Sequence, residues 1–274
     1  MSGRVTSVQR SSYHDGPGLR TTVFFKGCQL HCPWCHNPET ISPEIQTLFY
    51  PEKCIGCGKC AEGCFAGARE TVGRDMTVDE VLREIELDAP FYGEEGGVTL
   101  SGGEPLLQRA FALELIGACR ARGLHVAMES NLCVPGDAAA PVLESIDLLM
   151  GDVKLWDGAR HREITGMDNA FALSNFRMAA SMGVPVILRT PVVPGVNDDE
   201  AEIAKIAGFA AGLETLLYYE LLSYHPLGVS KARALGMEPQ VYAKPDKALM
   251  NRLREAALRS GVRVLINGRE GAVP

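Results

Sequence analysis

Three cysteines crowd into one short stretch, GCQLHCPWCHNPE (27–39): Cys28, Cys32 and Cys35. The spacing C-x3-C-x2-C lets a single loop wrap a compact inorganic core. Thiolates favour zinc or iron–sulfur centres. A 4Fe-4S cluster takes four ligands. Three protein thiolates would leave one iron open, as a catalytic zinc site keeps a position open for its substrate. The spacing also admits a structural zinc site in which His31 or His36 completes the set.

A second run follows: Cys54, Cys57, Cys60 and Cys64. Its spacing, C-x2-C-x2-C-x3-C, is the bacterial ferredoxin run, which speaks for iron–sulfur over zinc. Phe65 stands where proline usually follows the last cysteine. In two-cluster ferredoxins the fourth cysteine serves the other cluster, but no partner run exists here. Either Cys64 completes its own cluster, or a distant thiol, Cys119 or Cys133, does; nearness in the chain favours Cys64. Cys119 and Cys133 themselves read as buried thiols.

Polar residues also collect at the ends of apolar runs. LSGGEP (100–105) has two glycines that would let a ligand approach the backbone, with Glu104 beside them to hold an amino group. The same residues make an ordinary strand-to-helix turn with Pro105 starting the helix. In GDVKL (151–155), Asp152 and Lys154 share one face of a strand. Charges inside an apolar strand are costly unless paired or bound. They form an ion pair, or they grip a zwitterion such as an amino acid, with Lys154 on its carboxylate. AMESN (127–131) places Glu129 at a strand end, RTPVVPGVND (189–198) turns through Pro194 and Gly195, and YYELLSYHPLG (218–228) presents His225.

What must position these ends is an alternation of short β-rich and longer helical runs. Strands are expected at 21–27, 97–102, 125–130, 147–155, 184–190 and 215–221, with 262–268 closing or extending the sheet. Helices are expected at 78–87, 105–123, 169–183, 198–212 and 246–261, several ending on glycine. Such alternation implies parallel strands with helical crossovers. About six units make a partial (β/α)6 barrel, with its chemistry at the C-terminal strand ends. Residues 50–73 break the rhythm and read as a small cluster-bearing insertion, leaving 1–49 and 74–274 to the barrel.

Bulk properties narrow the partners. A chain of 274 residues, 46% hydrophobic, suits one α/β barrel. Net charge is −7, with no basic excess to neutralise phosphates, so nucleic acid is not an expected partner. No apolar run is long enough to span a membrane. The first twenty residues lack the apolar core of a secretory signal, so a cytoplasmic setting with nine reduced cysteines is expected. In such a compartment clustered cysteines read as metal ligands or catalytic thiols before disulfides.

The motifs GCQLHCPWC, SGGEP, DVK and YHPLG, in this order, resemble the radical SAM superfamily. The opening DGPGLRTTVFFKGC (15–28) resembles the glycyl radical enzyme activating enzymes within it, and the likeness runs from about Val5 to Gly268. The resemblance implies that Cys28, Cys32 and Cys35 hold a catalytic 4Fe-4S cluster whose open iron is chelated by S-adenosylmethionine. It implies Trp34 beside the adenine with His36 close by. Gly102, Gly103 and Glu104 would receive the methionine amino group, Asp152, Val153 and Lys154 the methionyl part, and His225 the ribose. A monovalent cation near the carboxylate would map onto Glu129, Ser130, Asp152 and the Met150 carbonyl, although Glu129 is longer than the usual Asp. The loop of Asp15, Gly16, Pro17 and Gly18 resembles the segment near the partner's glycine loop; otherwise it is a plain Gly-Pro turn. The insert resembles ferredoxin-like inserts, but holds ligands for one auxiliary 4Fe-4S cluster where two are common.

The implied activity is reductive cleavage of S-adenosylmethionine. The resulting 5′-deoxyadenosyl radical would take a hydrogen from a glycine Cα of a partner glycyl radical enzyme. The cofactor does the hard chemistry; the protein binds, orients and excludes water. Reduced flavodoxin or ferredoxin is the expected electron donor, and the partner complex is expected to be transient. The competing readings are a radical SAM enzyme acting on a small molecule, a ferredoxin-like electron carrier, and a zinc scaffold.

Overall fold

The computed structural model describes residues 1–60 and 63–270; residues 61–62 of the insert and 271–274 of the expected barrel span lie outside the described residues. The chain opens with β1 (Ser2–Ser12) and β2 (Arg20–Phe25). After the first cysteine loop come β3 (Gln46–Phe49) and β4 (Arg69–Val72), a separate antiparallel pair that brackets the second cysteine run. β5 (Arg74–Thr77) returns to the main sheet. Alternation then sets in: α1 (Val78–Glu86), β6 (Gly97–Gly102), α2 (Arg109–Arg120), β7 (Val126–Ser130), α3 (Gly136–Leu143) and β8 (Leu148–Asp152). It continues with α4 (Gly158–Thr165), α5 (Ala170–Ser181), β9 (Val186–Val192), α6 (Glu200–Ala211), β10 (Leu216–Ser223), α7 (Leu227–Ala234), α8 (Lys247–Leu258) and β11 (Val264–Ile266).

The main sheet runs β11-β10-β9-β8-β7-β6-β2-β1-β5. Its six barrel strands, β2 and β6 to β10, are mutually parallel, and β11 continues the parallel order. This is the expected partial (β/α)6 barrel. One feature was not expected: β1 pairs antiparallel with β2, and β5 with β1. The segment 2–12 is polar, with Val5 alone of its larger apolar side chains fully buried, so it carries no strong apolar signal. The expected helix 105–123 begins as a tight 3-10 turn, Pro105–Gln108, before α2.

Side-chain alternation sorts each strand into two faces. Val98, Leu100, Val126, Met128, Leu149 and Leu188 point outward into the core under the helices. α1 seals one side with its stripe Val78, Val81, Leu82 and Ile85, started by a reciprocal cap between Thr77 and Glu80. The inward residues Ala127, Leu148, Met150 and Ile187, with Tyr218, form a small apolar layer inside the barrel. Above it, toward the C-terminal strand ends, the inward positions are charged.

Two buried groups fix the N-terminal hairpin on this barrel. The Arg20 guanidinium is wholly buried and donates to Thr99 Oγ1 (2.6 Å), the Val98 carbonyl (2.7 Å) and the Pro17 carbonyl (3.0 Å). Asp88 accepts from Arg10 Nε (2.9 Å), the Ser11 amide (2.7 Å) and Thr21 Oγ1 (3.0 Å), and these partners hold its carboxyl below the usual range against the opposing effect of burial. Asp88→Ala would leave the buried Thr21 hydroxyl without its acceptor, at about 1–3 kcal/mol, and would remove the Arg10 ion pair, read together as a lower denaturant midpoint. Because the folded value is depressed, this stability is present above the ordinary carboxylate range and is lost as pH falls through the folded value. The gap between variant and parent should therefore close in acid.

Candidate active site

β2 delivers the first cysteine loop to the C-terminal mouth of the barrel. The loop base is closed by the Gly27 amide on the Thr40 carbonyl (2.7 Å) and the Cys28 amide on the Ile41 carbonyl (2.9 Å). Within it, the Cys35 amide turns back onto the Cys32 carbonyl (3.0 Å). All three thiols are half-buried. Burial pushes Cys28 and Cys35 up to about 12 and Cys32 upward, so they keep their protons until a positive core displaces them. Among the described residues no three His, Cys, Asp or Glu side chains gather closely enough for a single metal ion. A cubane spreads its ligands wider, one thiol per iron.

Beside the loop lies a cavity of about 310 Å³, lined by Cys32, Trp34 and Cys35 on one side and by Tyr224, His225 and Gly228 on another. His225 Nδ1 is buried there with no partner. The His36 and His225 rings meet edge to face at 4.3 Å, and burial together with His225 pushes His36 down to about 4. Trp34 is held by Tyr242, edge-on at 6.3 Å, which in turn meets Tyr224 at 5.8 Å. Three thiols on one loop, beside an apolar-walled cavity with an unpaired ring nitrogen, fit an iron–sulfur core and a nucleoside-bearing ligand.

The strand ends bring four charges into contact across three neighbouring strands. Lys154 Nζ donates to Asp152 Oδ2 (2.6 Å). Arg189 donates through Nε to Asp152 Oδ1 (3.3 Å) and through a terminal nitrogen to Glu129 Oε1 (2.6 Å). Ser101 completes the row by donating to Glu129 Oε2 (2.5 Å). Against the opposing effect of burial, Asp152 holds Lys154 charged. Thus the four positions assigned to a cation sit on adjacent strand ends, yet both carboxylates already carry Arg189, and Ser130 Oγ donates to Glu104 (2.8 Å). Val153 faces the other way, into the main hydrophobic core, so its side chain does not share the site.

The glycines of SGGEP have a packing role besides the one expected. A Cβ on Gly102 would meet the Phe25 backbone at 2.4 Å, and one on Gly103 would meet the Gly27 carbonyl at 2.2 Å. Both must be glycines for β6 to close on the end of β2 and the cysteine loop. Glu104 is likewise turned inward. It is fully buried and accepts from Ser130 Oγ (2.8 Å), the Asn131 amide (2.9 Å) and the Leu106 amide (3.1 Å), while burial raises it to about 7.

The DGPG loop reaches the same region. Asp15 accepts from Ser12 Oγ (2.6 Å) and Thr22 Oγ1 (2.7 Å), and its charge is close enough to favour protonated His36. Gly18, at φ +69°, lies where a Cβ would strike the Gly96 backbone at 2.5 Å. The insert's base is tied to the cysteine loop. Lys26 Nζ bridges the Glu39 carbonyl (2.5 Å) and Gln46 Oε1 of β3 (3.0 Å), and Lys231 of α7 binds Glu39 Oε1 (2.6 Å). Leu48, Val72 and Ala234 pack beneath. Cys54, Cys57 and Cys60 are exposed; Cys64 is half-buried, with the backbone amides of Arg69 and Ala68 favouring its thiolate. Cys119 is buried in α2, and Cys133 is buried with its carbonyl on Gln29, beside the first cysteine loop.

Sequence reasoning missed Arg189, Asn131, Gln29 and Tyr242 as members of this site. Arg189 carried a signal: a charge inside an apolar strand, as in GDVKL. Tyr242 lies in an irregular connection between α7 and α8, where no periodicity points anywhere.

The model of the radical SAM superfamily matches residues 22–207, and the chain belongs to that superfamily. The indoleacetate decarboxylase activating enzyme of Tractidigestivibacter scatoligenes is 36% identical, over 97% of this chain and 98% of its own. The pyruvate formate-lyase 2-activating enzyme of Escherichia coli is 37% identical, over 97% of this chain and 92% of its own. Within the superfamily, then, this is a glycyl radical enzyme activating enzyme. A solved domain of a pyruvate formate-lyase activating enzyme from Bacteroides vulgatus is similar at a TM-score of 0.54 and 28% identity, over 63% of this chain and 99% of that one.

Arg189→Met would leave Glu129 and Asp152 buried with one cation fewer. Removing one partner of a buried ion network costs about 3–5 kcal/mol. The denaturant midpoint should fall accordingly, and affinity for S-adenosylmethionine should fall with it.

Proposed function

We propose that Cys28, Cys32 and Cys35 hold the catalytic 4Fe-4S cluster and that the strand-end charges grip the amino-acid part of S-adenosylmethionine. When bound and reduced, the cluster would give one electron to the sulfonium of S-adenosylmethionine, breaking its C–S bond to leave methionine and a 5′-deoxyadenosyl radical that would take a hydrogen atom from a glycine Cα of a partner glycyl radical enzyme, becoming 5′-deoxyadenosine. The observation that carries this reading is the cysteine loop seated beside both the charged strand ends and the Trp34–His225 cavity.

The chain's own part is to bind and orient. Lys154, charged and next to Cys32, suits the carboxylate of the ligand. With the Glu104 carboxylate turned inward, backbone carbonyls at Gly102 and Gly103 are the acceptors left for the amino group. His225 Nδ1 suits a ribose hydroxyl, and Trp34 an adenine face or edge. Arg189 holds, as a fixed guanidinium, the charge for which an alkali cation would otherwise serve Glu129 and Asp152. Asp15, Gly16, Pro17 and Gly18 form the edge where the partner's glycine loop enters, supported by the charge of Asp15 near His36.

Residues 50–73 carry one auxiliary 4Fe-4S cluster on Cys54, Cys57, Cys60 and Cys64. Cys64 is the fourth ligand because it lies on the same segment as the other three and is partly accessible, whereas Cys119 and Cys133 are buried in the barrel. A reduced flavodoxin or ferredoxin supplies the electron. The nine thiols suit the cytoplasm. Among the described residues no helix is long and apolar enough to cross a membrane.

The test is anaerobic reconstitution with iron and sulfide, reduction, and quantification of 5′-deoxyadenosine. The parent should form it and Cys32→Ala should not. Replacing Cys57 and Cys60 with alanine should lower bound iron from about eight to about four per chain while cleavage persists. A fully loaded parent that forms no 5′-deoxyadenosine overturns the reading in favour of an electron carrier.

A further inference from the structure

Asn131 follows β7 and is buried beside the cysteine loop. Its amide can stand only one way round. Oδ1 accepts from the Cys133 backbone amide (2.9 Å), a group that can only donate. The same oxygen accepts from Gln29 Nε2 (2.8 Å). Gln29 is itself oriented, because Nε2 also donates to the Cys133 carbonyl (3.0 Å), which can only accept. With its oxygen committed, Asn131 turns Nδ2 onto Cys28 Sγ at 3.6 Å, a normal length for a donor on sulfur. The Asn131 backbone amide is anchored on Glu104 Oε2 (2.9 Å). Asn131 therefore links the end of β6 to one cluster ligand through hydrogen bonds whose directions are all fixed.

We propose that Asn131 is a positioning residue that donates to the Cys28 thiolate and so raises the reduction potential of the catalytic cluster. This rests on Cys28 as a cluster ligand. Adding an electron places more negative charge on the core and its sulfurs. A donor aimed at a ligand sulfur stabilises that reduced state more than the oxidised one. Gln29 and the Cys133 amide act one step further back, by holding the donor in place.

The experiment is a redox titration of the anaerobically reconstituted protein, followed by electron paramagnetic resonance. The catalytic cluster is identified by the change in its signal when S-adenosylmethionine is added. Asn131→Ala and Asn131→Leu are compared with the parent and with Gln29→Leu. The leucine keeps the size of the side chain and adds no charge but has no proton to give, so it reads the donor even if the alanine variant fails to fold. Iron and sulfide content should match the parent. The midpoint should move negative in both Asn131 variants. It should move less in Gln29→Leu, where the Cys133 amide still orients the donor. A merely structural role would alter loading or stability and leave the potential of loaded protein in place. Loaded variants with an unchanged midpoint overturn the proposal alone. A parent that retains its S-adenosylmethionine-responsive cluster after Cys28→Ala overturns the ligand assignment beneath it.

Discussion

A single buried guanidinium organises the mouth of this barrel. Arg189 comes from β9 but binds carboxylates on β7 and β8, with Lys154 and Ser101 extending the row to either side. None of these charges could stand alone at this depth, because each would lose its hydration without compensation. Their mutual pairing is what permits a polar layer on top of the apolar one formed by Ala127, Leu148, Met150 and Ile187. Strand register follows from the same requirement. A slip of one residue in β8 would turn Asp152 into the hydrophobic core and break two ion pairs at once.

Glu104 does for the rim what Arg189 does for the interior. It lies at the end of β6, yet its acceptors are filled from β7 and from its own turn. Gly102 and Gly103 let that turn press against β2 and the first cysteine loop. The loop is therefore clamped from below by backbone and from the side by Asn131. On its outer side Glu39 joins it to Lys231 of α7, and its carbonyl joins it to Lys26 and the insert's β3. The second cysteine run is thus mechanically continuous with the first through a few buried polar contacts, although its own thiols stand at the surface.

Much of this was legible before any coordinates. The two cysteine runs, the alternating units and the charged strand ends each have a local signature in spacing or period. Residues whose role arises from tertiary neighbours did not. That Arg189 pairs with Glu129 and Asp152 shows only when β7, β8 and β9 lie side by side. Asn131 acquires meaning only when Gln29, a hundred residues earlier, arrives to orient it. The glycines of SGGEP were legible as sites of close approach, but not the crowding by protein backbone that also requires them, which no one-dimensional pattern shows. Strand β1 escaped because it is covered on both edges by β2 and β5 and so has little need of apolar side chains.

The charge balance of the mouth bears on what it can hold. Lys154 and Arg189 face Asp152, Glu129 and, on β10, Glu220, which lies beside Arg189 and accepts from the Gly268 amide (2.6 Å). With all five ionised the layer is one unit negative. A ligand carrying a carboxylate, an ammonium and a sulfonium is one unit positive. Such a ligand complements the layer in charge, and on the proposed binding mode Lys154, beside the thiols, would draw its carboxylate toward the cluster. Reductive cleavage removes the sulfonium charge and leaves a neutral amino acid in a negative layer. On the proposed binding mode, the charge attraction between this layer and its ligand is therefore weaker after cleavage than before it.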